Sequence, residues 1–69
     1  MYPLNERIRQ LRKQKNLSQV ELAQKLKTTN DTVSLWEIGK RNPSVEDLKE
    51  LCLLFNVTAD YLLGLTDIY

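Results

Sequence analysis

Sixty-nine residues, 42% hydrophobic and 28% charged with two Gly and two Pro, hold one small domain spanning 1–69. They exclude collagen, low-complexity linkers and most disordered segments. The absence of histidine and the lone Cys52 remove imidazole-based triads, His- or Cys-built metal sites and internal disulfides, so no catalytic residue, metal or cofactor is expected. The net charge of +1 is unevenly divided, with seven basic residues against two acids over 1–27, two against two over 28–41, and one against five over 42–69. Such polarity either orients a polyanion or marks two unrelated solvated faces. No apolar run approaches the ~18 residues of a membrane span.

The chain lacks valine–isoleucine alternation and Asn-Gly or Asp-Gly hairpin signals, so the expected fold class is all-α. Leu4, Ile8 and Leu11 follow helical spacing and predict a first helix from Leu4 to Gln14, with Asn5 as a candidate cap. Ser18-Gln19-Val20-Glu21 is a capping box that opens a second helix, Gln19 to Leu26, burying Leu22, Ala23 and Leu26. Lys27-Thr28-Thr29 is a tight turn, and Thr29 can cap a third helix from Asn30 to about Ile38. That helix puts Val33 and Trp36 on one face and Asp31, Ser34, Leu35 and Ile38 on the other.

Gly39 suits a left-handed stop, and Lys40-Arg41-Asn42-Pro43 reads as a polar loop. Ser44 opens a fourth helix whose Leu48, Leu51, Cys52 and Phe55 recur at core spacing, with Cys52 read as a small hydrophobe. Asn56 ends it. Thr58 caps a short fifth helix, Ala59 to Leu63, closed by Gly64 and followed by a tail over 65–69. The second and third helices with their short turn, about 18–38, have the spacing of a helix-turn-helix unit, which lays one helix across a phosphate backbone and the next into the major groove. Many small helical bundles share that spacing.

Leu17-Ser18-Gln19, Glu21-Leu22-Ala23, Trp36-Glu37-Ile38-Gly39-Lys40, Asn42-Pro43-Ser44 and Asp60-Tyr61-Leu62-Leu63-Gly64 stand in an order and at a spacing that resemble the Cro/CI-type (Xre-like) helix-turn-helix repressors, relatives of phage repressor DNA-binding domains. The resemblance spans about Leu4 to Asp67 and implies a five-helix, lambda-repressor-like fold. It also implies residue roles. Gln19 matches the residue that holds a phosphate at the start of the second helix, where a helix N-terminus favours an anion. Thr29, Asn30, Asp31, Ser34 and Leu35 match positions that read base edges, and Lys40, Arg41 and Asn42 match a loop that grips the backbone. Arg12 and Glu37 match a pair that ties the first helix to the third.

The chain departs from the family where a turn glycine is replaced by Lys27, which implies a left-handed lysine costing roughly 1 kcal/mol. At the reading positions, Asn30 suits adenine and Asp31 suits cytosine N4, although Asp31 also suits the positive end of its own helix. Leu35 suits a thymine methyl, whereas Ile38 is expected to pack under the following loop. The cations Arg7, Arg9, Lys13 and Lys15 form a solvated face or lend one or two phosphate contacts.

Leu53, Leu54, Leu65, Ile68 and Tyr69 exceed what five helices need for a core, which points to a homodimer with two recognition helices about 34 Å apart. The alternative is a tail folded over its own core. Together these readings imply a cytoplasmic, bacterial or phage-encoded regulator that binds double-stranded operator DNA and represses transcription without enzymatic activity, membrane contact or a small-molecule effector. A protein-interaction module, such as an antitoxin-like or anti-regulator subunit, is the reading from a different class.

Overall fold

The computed structural model describes residues 3–68 and contains five helices: α1 (Leu4–Gln14), α2 (Gln19–Leu26), α3 (Asn30–Glu37), α4 (Val45–Phe55) and α5 (Ala59–Leu62). No strand occurs among the described residues. Four of the helices open on a hydroxyl cap. Ser18, Thr29, Ser44 and Thr58 each accept from the backbone N–H three residues on, at 3.0, 3.2, 3.1 and 3.1 Å. Each cap satisfies a donor that the first helical turn cannot. The exception is α1. Pro3, in extended conformation, takes its cap position without a side-chain bond, and Asn5 lies inside the helix. The Asn5 amide instead donates across the fold to the carbonyl of Glu37 at 3.3 Å.

All five helices stop in one way. Asn16, Lys27, Gly39, Asn56 and Gly64 adopt left-handed backbone with φ between 56° and 81°. The residue after each returns its N–H to the carbonyl five positions earlier: Leu17 to Arg12, Thr28 to Ala23, Lys40 to Leu35, Val57 to Cys52 and Leu65 to Asp60, all at 2.9–3.1 Å. This closure satisfies carbonyls that would otherwise be orphaned and turns the chain sharply enough for short helices to enclose one core. Lys27 bears the cost that a glycine would escape at that position.

The core consists of Ile8 and Leu11 from α1, Leu22 and Ala23 from α2, Val33 and Trp36 from α3, Leu51 and Phe55 from α4, and Tyr61 and Leu62 from α5. Leu26, Leu48, Cys52 and Leu54 are half-buried against it. Leu54, named above as a candidate self-association residue, thus has part of its side chain against the core and part at the surface. Burial pushes the Cys52 thiol pKa up, in keeping with an inert apolar role. Ala23 is buried on α2, the helix packed against α3, where a small side chain permits close approach.

Arg7 corrects the reading of the α1 cations as one face, because it is only 3% exposed. Its guanidinium lies 3.9 Å from the centroid of the Tyr61 ring, and Nη2 donates to Asp67 Oδ1 at 3.2 Å. Burial disfavours the charge, yet hydrogen bonding to Tyr61 and Asp67 outweighs it and holds the guanidinium proton more tightly than usual. The tail is therefore tied to α1 at Asp67, while Leu65 and Ile68 remain exposed. Tyr69 lies outside the described residues.

Candidate nucleic-acid interface

Three helices meet at one carboxylate. Glu37, the last residue of α3, is buried and accepts from Arg12 Nε at 2.7 Å, Arg12 Nη2 at 3.1 Å and Gln19 Nε2 at 3.1 Å. Arg12 also donates from Nη1 to the carbonyl of Leu17 at 2.8 Å, so its guanidinium is held at three nitrogens. The side chains are 11% and 4% exposed, which places this two-point ion pair where water screens it little. Local sequence explains the convergence. Arg12 follows Ile8 by four residues beside the apolar stripe of α1, and Glu37 follows Val33 by four on the buried side of α3.

The opening of α2 lies beside this network. Ser18 N–H donates to Glu21 Oε1 at 2.9 Å, and Glu21 N–H donates to Ser18 Oγ at 3.0 Å. The bond from the Ser18 backbone, then that with its hydroxyl, keeps the Glu21 carboxyl below the usual carboxylate range. The amides of Gln19 and Val20 stand in the first turn, where no preceding turn can accept from them. Gln19 thus combines an outward-facing backbone with a side chain braced on Glu37.

Along α3, Val33, Trp36 and Glu37 face the interior and Asn30 and Asp31 are exposed, while Ser34 and Leu35 are half-buried at the edge of the same outer face. The Thr29 hydroxyl is engaged as the cap and lies 2.8 Å from that of Thr32. Among the described residues, Asn30, Asp31 and Ser34 make no side-chain hydrogen bond with the rest of the chain, so their polar groups face outward unspent. Lys40, Arg41 and Asn42 are exposed in the loop after α3, and the amides of Lys40 and Arg41 both bond to the Leu35 carbonyl, at 3.1 and 3.3 Å. The loop is consequently anchored at its root while its side chains stay free to reach a ligand.

Ile38 departs from its expected place. It is 59% exposed and lines a shallow concavity with Arg9, Arg12, Gln19 and Glu37, because Gly39 turns the chain before the loop can cover it. Sequence spacing does not separate Arg9 from the other α1 cations. The fold does, turning Arg7 inward and leaving Arg9 on the rim of this concavity. A second, apolar groove runs between α4 and α5, lined by Val45, Leu48, Lys49, Cys52, Leu53 and Ala59. Leu53 is exposed within it, so of the residues expected at a self-association surface Leu53, Leu65 and Ile68 are on the outside.

A family model described as "Helix-turn-helix" matches residues 8–62, a span that begins within α1 and ends with α5. The chain is 46% identical over 60 residues to the HTH-type transcriptional activator BcrR of Enterococcus faecalis, covering 87% of this chain and 29% of that protein. It is 38% identical over 61 residues to the HTH-type transcriptional regulator ImmR of Bacillus subtilis (strain 168), covering 88% of this chain and 48% of that protein. The chain therefore spans half or less of the length of these two relatives. The crystal structure of the P22 c2 repressor in complex with a synthetic operator superposes with a TM-score of 0.85 at 32% identity, covering 91% of this chain and 96% of that one. The solution structure of the P22 c2 repressor DNA-binding domain gives a TM-score of 0.82, again at 32% identity, over 90% of this chain and 82% of that one. By sequence match and by the course of all five helices, the chain belongs to the helix-turn-helix family of Cro/CI (Xre-like) type.

Proposed function

We propose that the chain is a sequence-specific regulator of transcription that binds double-stranded DNA through α3 and represses by occupying a palindromic operator. One observation carries the reading: α3 is locked from behind by the Glu37 network, yet Asn30, Asp31 and Ser34 keep their polar groups unspent on its outer face. A rigid helix with open donors and acceptors is what major-groove readout requires. In this reading Thr29, Asn30, Asp31, Ser34 and Leu35 meet base edges, and Gln19, Lys40, Arg41 and Asn42 hold phosphates. The operator complex of the structurally similar P22 c2 repressor supports it. So does the charge division, since Arg9, Lys13, Lys15, Lys25 and Lys27 are exposed.

Size supports a homodimer. The described chain measures 28 × 22 × 21 Å, shorter than the ~34 Å helical turn that separates half-sites, so one copy brings one recognition helix to one half-site. The apolar groove holding Leu53, with exposed Leu65 and Ile68, supplies surface for a second copy. Such a regulator works in the bacterial cytoplasm or from a phage genome, by occupying its DNA site. The same groove is the observation that favours the second reading, a module whose main partner is another protein.

Selection of bound duplexes from a random pool at near-physiological salt tests the proposal. The expected survivors share a palindrome with half-sites one turn apart. Folded protein that enriches no sequence contradicts it, and co-purification with a stable protein partner then supports the second reading.

A further inference from the structure

We infer that Asn5 is a positioning residue for DNA binding, holding the end of α3 so that the loop Lys40-Arg41-Asn42 leaves it in one direction; the inference rests on the DNA-binding reading above. The carbonyls of the last helical turn need partners from beyond the helix. The chain that follows α3 satisfies three of the last four. Ser34 accepts from the Ile38 N–H at 3.1 Å, Leu35 from those of Lys40 and Arg41 at 3.1 and 3.3 Å, and Trp36 from that of Gly39 at 3.2 Å. The carbonyl of Glu37 accepts instead from Asn5 Nδ2 at 3.3 Å, across the fold. α1 thus completes from outside what the loop begins.

The Asn5 amide also lies against the turn itself. An ideal Cβ on Gly39, whose φ is +80°, would stand 3.6 Å from Asn5 Nδ2 and 3.7 Å from its Cγ. Gly39 is where the chain leaves the line of α3, and the exposed Lys40, Arg41 and Asn42 follow it directly. Asn5 and Arg12 stand seven residues apart, two turns along one side of α1. Arg12 holds the Glu37 carboxylate and Asn5 the Glu37 carbonyl, so α1 grips the last residue of α3 by side chain and by backbone. The two grips differ in kind. The Arg12 pair is ionic and buried and anchors the fold, whereas the Asn5 bond is single and neutral and fixes a direction. A carbonyl released from Asn5 can turn to water, which leaves α3 intact and gives the loop freedom that binding must then remove.

The experiment is binding of a mixed-sequence duplex by fluorescence anisotropy between about 50 and 200 mM salt. It compares wild type, Asn5→Ala, Asn5→Leu, and a Lys40→Ala/Arg41→Ala chain with and without Asn5→Ala. Asn5→Leu keeps bulk against Gly39 and removes the donor. Each lost phosphate contact lowers the slope of log affinity against log salt by about one. A neutral side chain that only supports the fold leaves this slope alone. Asn5→Ala and Asn5→Leu are both expected to lower it by about one, so that the wild-type advantage over them shrinks about threefold across the salt range. In the chain lacking both loop cations, Asn5→Ala is expected to leave the slope unchanged, because no charged loop contact remains to be aimed. A wild-type slope in either single variant, or an equal fall with and without the loop cations, overturns the positioning role while leaving DNA binding intact. So does loss of cooperative melting in Asn5→Ala, which makes the bond one that folding itself needs. Wild type that binds no duplex overturns the DNA-binding reading and this inference with it.

Discussion

Gln19 Nε2 donates to Glu37 Oε1 at 3.1 Å, fastening the first residue of α2 to the last residue of α3. The same carboxylate holds Arg12 of α1, so three helices share one buried anchor. In the proposed function this joins a phosphate contact to the far end of the reading helix. Seating Gln19 on the backbone and aiming α3 at the bases then become a single geometric constraint.

The anchor's contribution to stability follows from its burial. Arg12→Ala leaves the Glu37 carboxylate buried without its counter-charge and is expected to cost about 3 kcal/mol. At this size the melting temperature falls by roughly 4–8 °C for each kcal/mol. Arg9→Ala, on the surface of the same helix, is expected to stay within about 0.5 kcal/mol of wild type. Thermal melts of both variants check this, and equal shifts contradict it.

Recognition divides into positioning and reading. Gln19→Ala is expected to weaken all duplexes by a similar factor, because backbone contacts carry no sequence information. Asn30→Ala is expected to relax discrimination at one position per half-site by about 1–3 kcal/mol. Affinities measured against a panel of single-position operator variants separate the two. A change of sequence preference in Gln19→Ala, or none in Asn30→Ala, reverses the assignments.

The difference between Arg7 and Asp67 tests what holds the tail. Arg7 is buried over the Tyr61 ring, whereas the Asp67 side chain is 80% exposed. Asp67→Ala is expected to cost less than about 1 kcal/mol, as exposed ion pairs do. Arg7→Ala is expected to cost about 2 kcal/mol or more, through lost stem packing and ring contact. Chemical denaturation of both variants measures the difference, and equal losses would mean that the ion pair, not burial, dominates.

Lys27 holds φ at +57° at the end of α2. Lys27→Gly is expected to stabilise the chain by about 1 kcal/mol by relieving the left-handed strain. Lys27→Ala keeps the side-chain penalty and is expected to bring no such gain. A melt in which both variants behave alike removes backbone strain as the cause.

Helix limits were legible because start and stop chemistry is local. The Ser18–Glu21 box, the Thr29, Ser44 and Thr58 caps and the stops at Gly39, Asn56 and Gly64 all stand within a few residues of the bonds they make. Misreadings came from partners far away in sequence. Asn5 has the composition of a cap but bonds to Glu37, and Arg7 looks like a surface cation until Tyr61 and Asp67 fold against it. A signal for Arg7 existed, since it stands on the apolar stripe with Leu4, Ile8 and Leu11. Ile38 carried none, because its exposure depends on where Gly39 sends the loop. The pairing of Arg12 with Glu37 came through family resemblance, as spacing relates residues within a helix and not between helices.

Backbone amide chemical shifts, followed during titration of the folded protein with duplex, test most directly which surface meets DNA. The account predicts saturable shifts at the opening of α2, residues 18–20, and from Thr29 through Asn42. Shifts confined to the α4–α5 groove around Leu48, Cys52 and Leu53, with α3 silent, would contradict it.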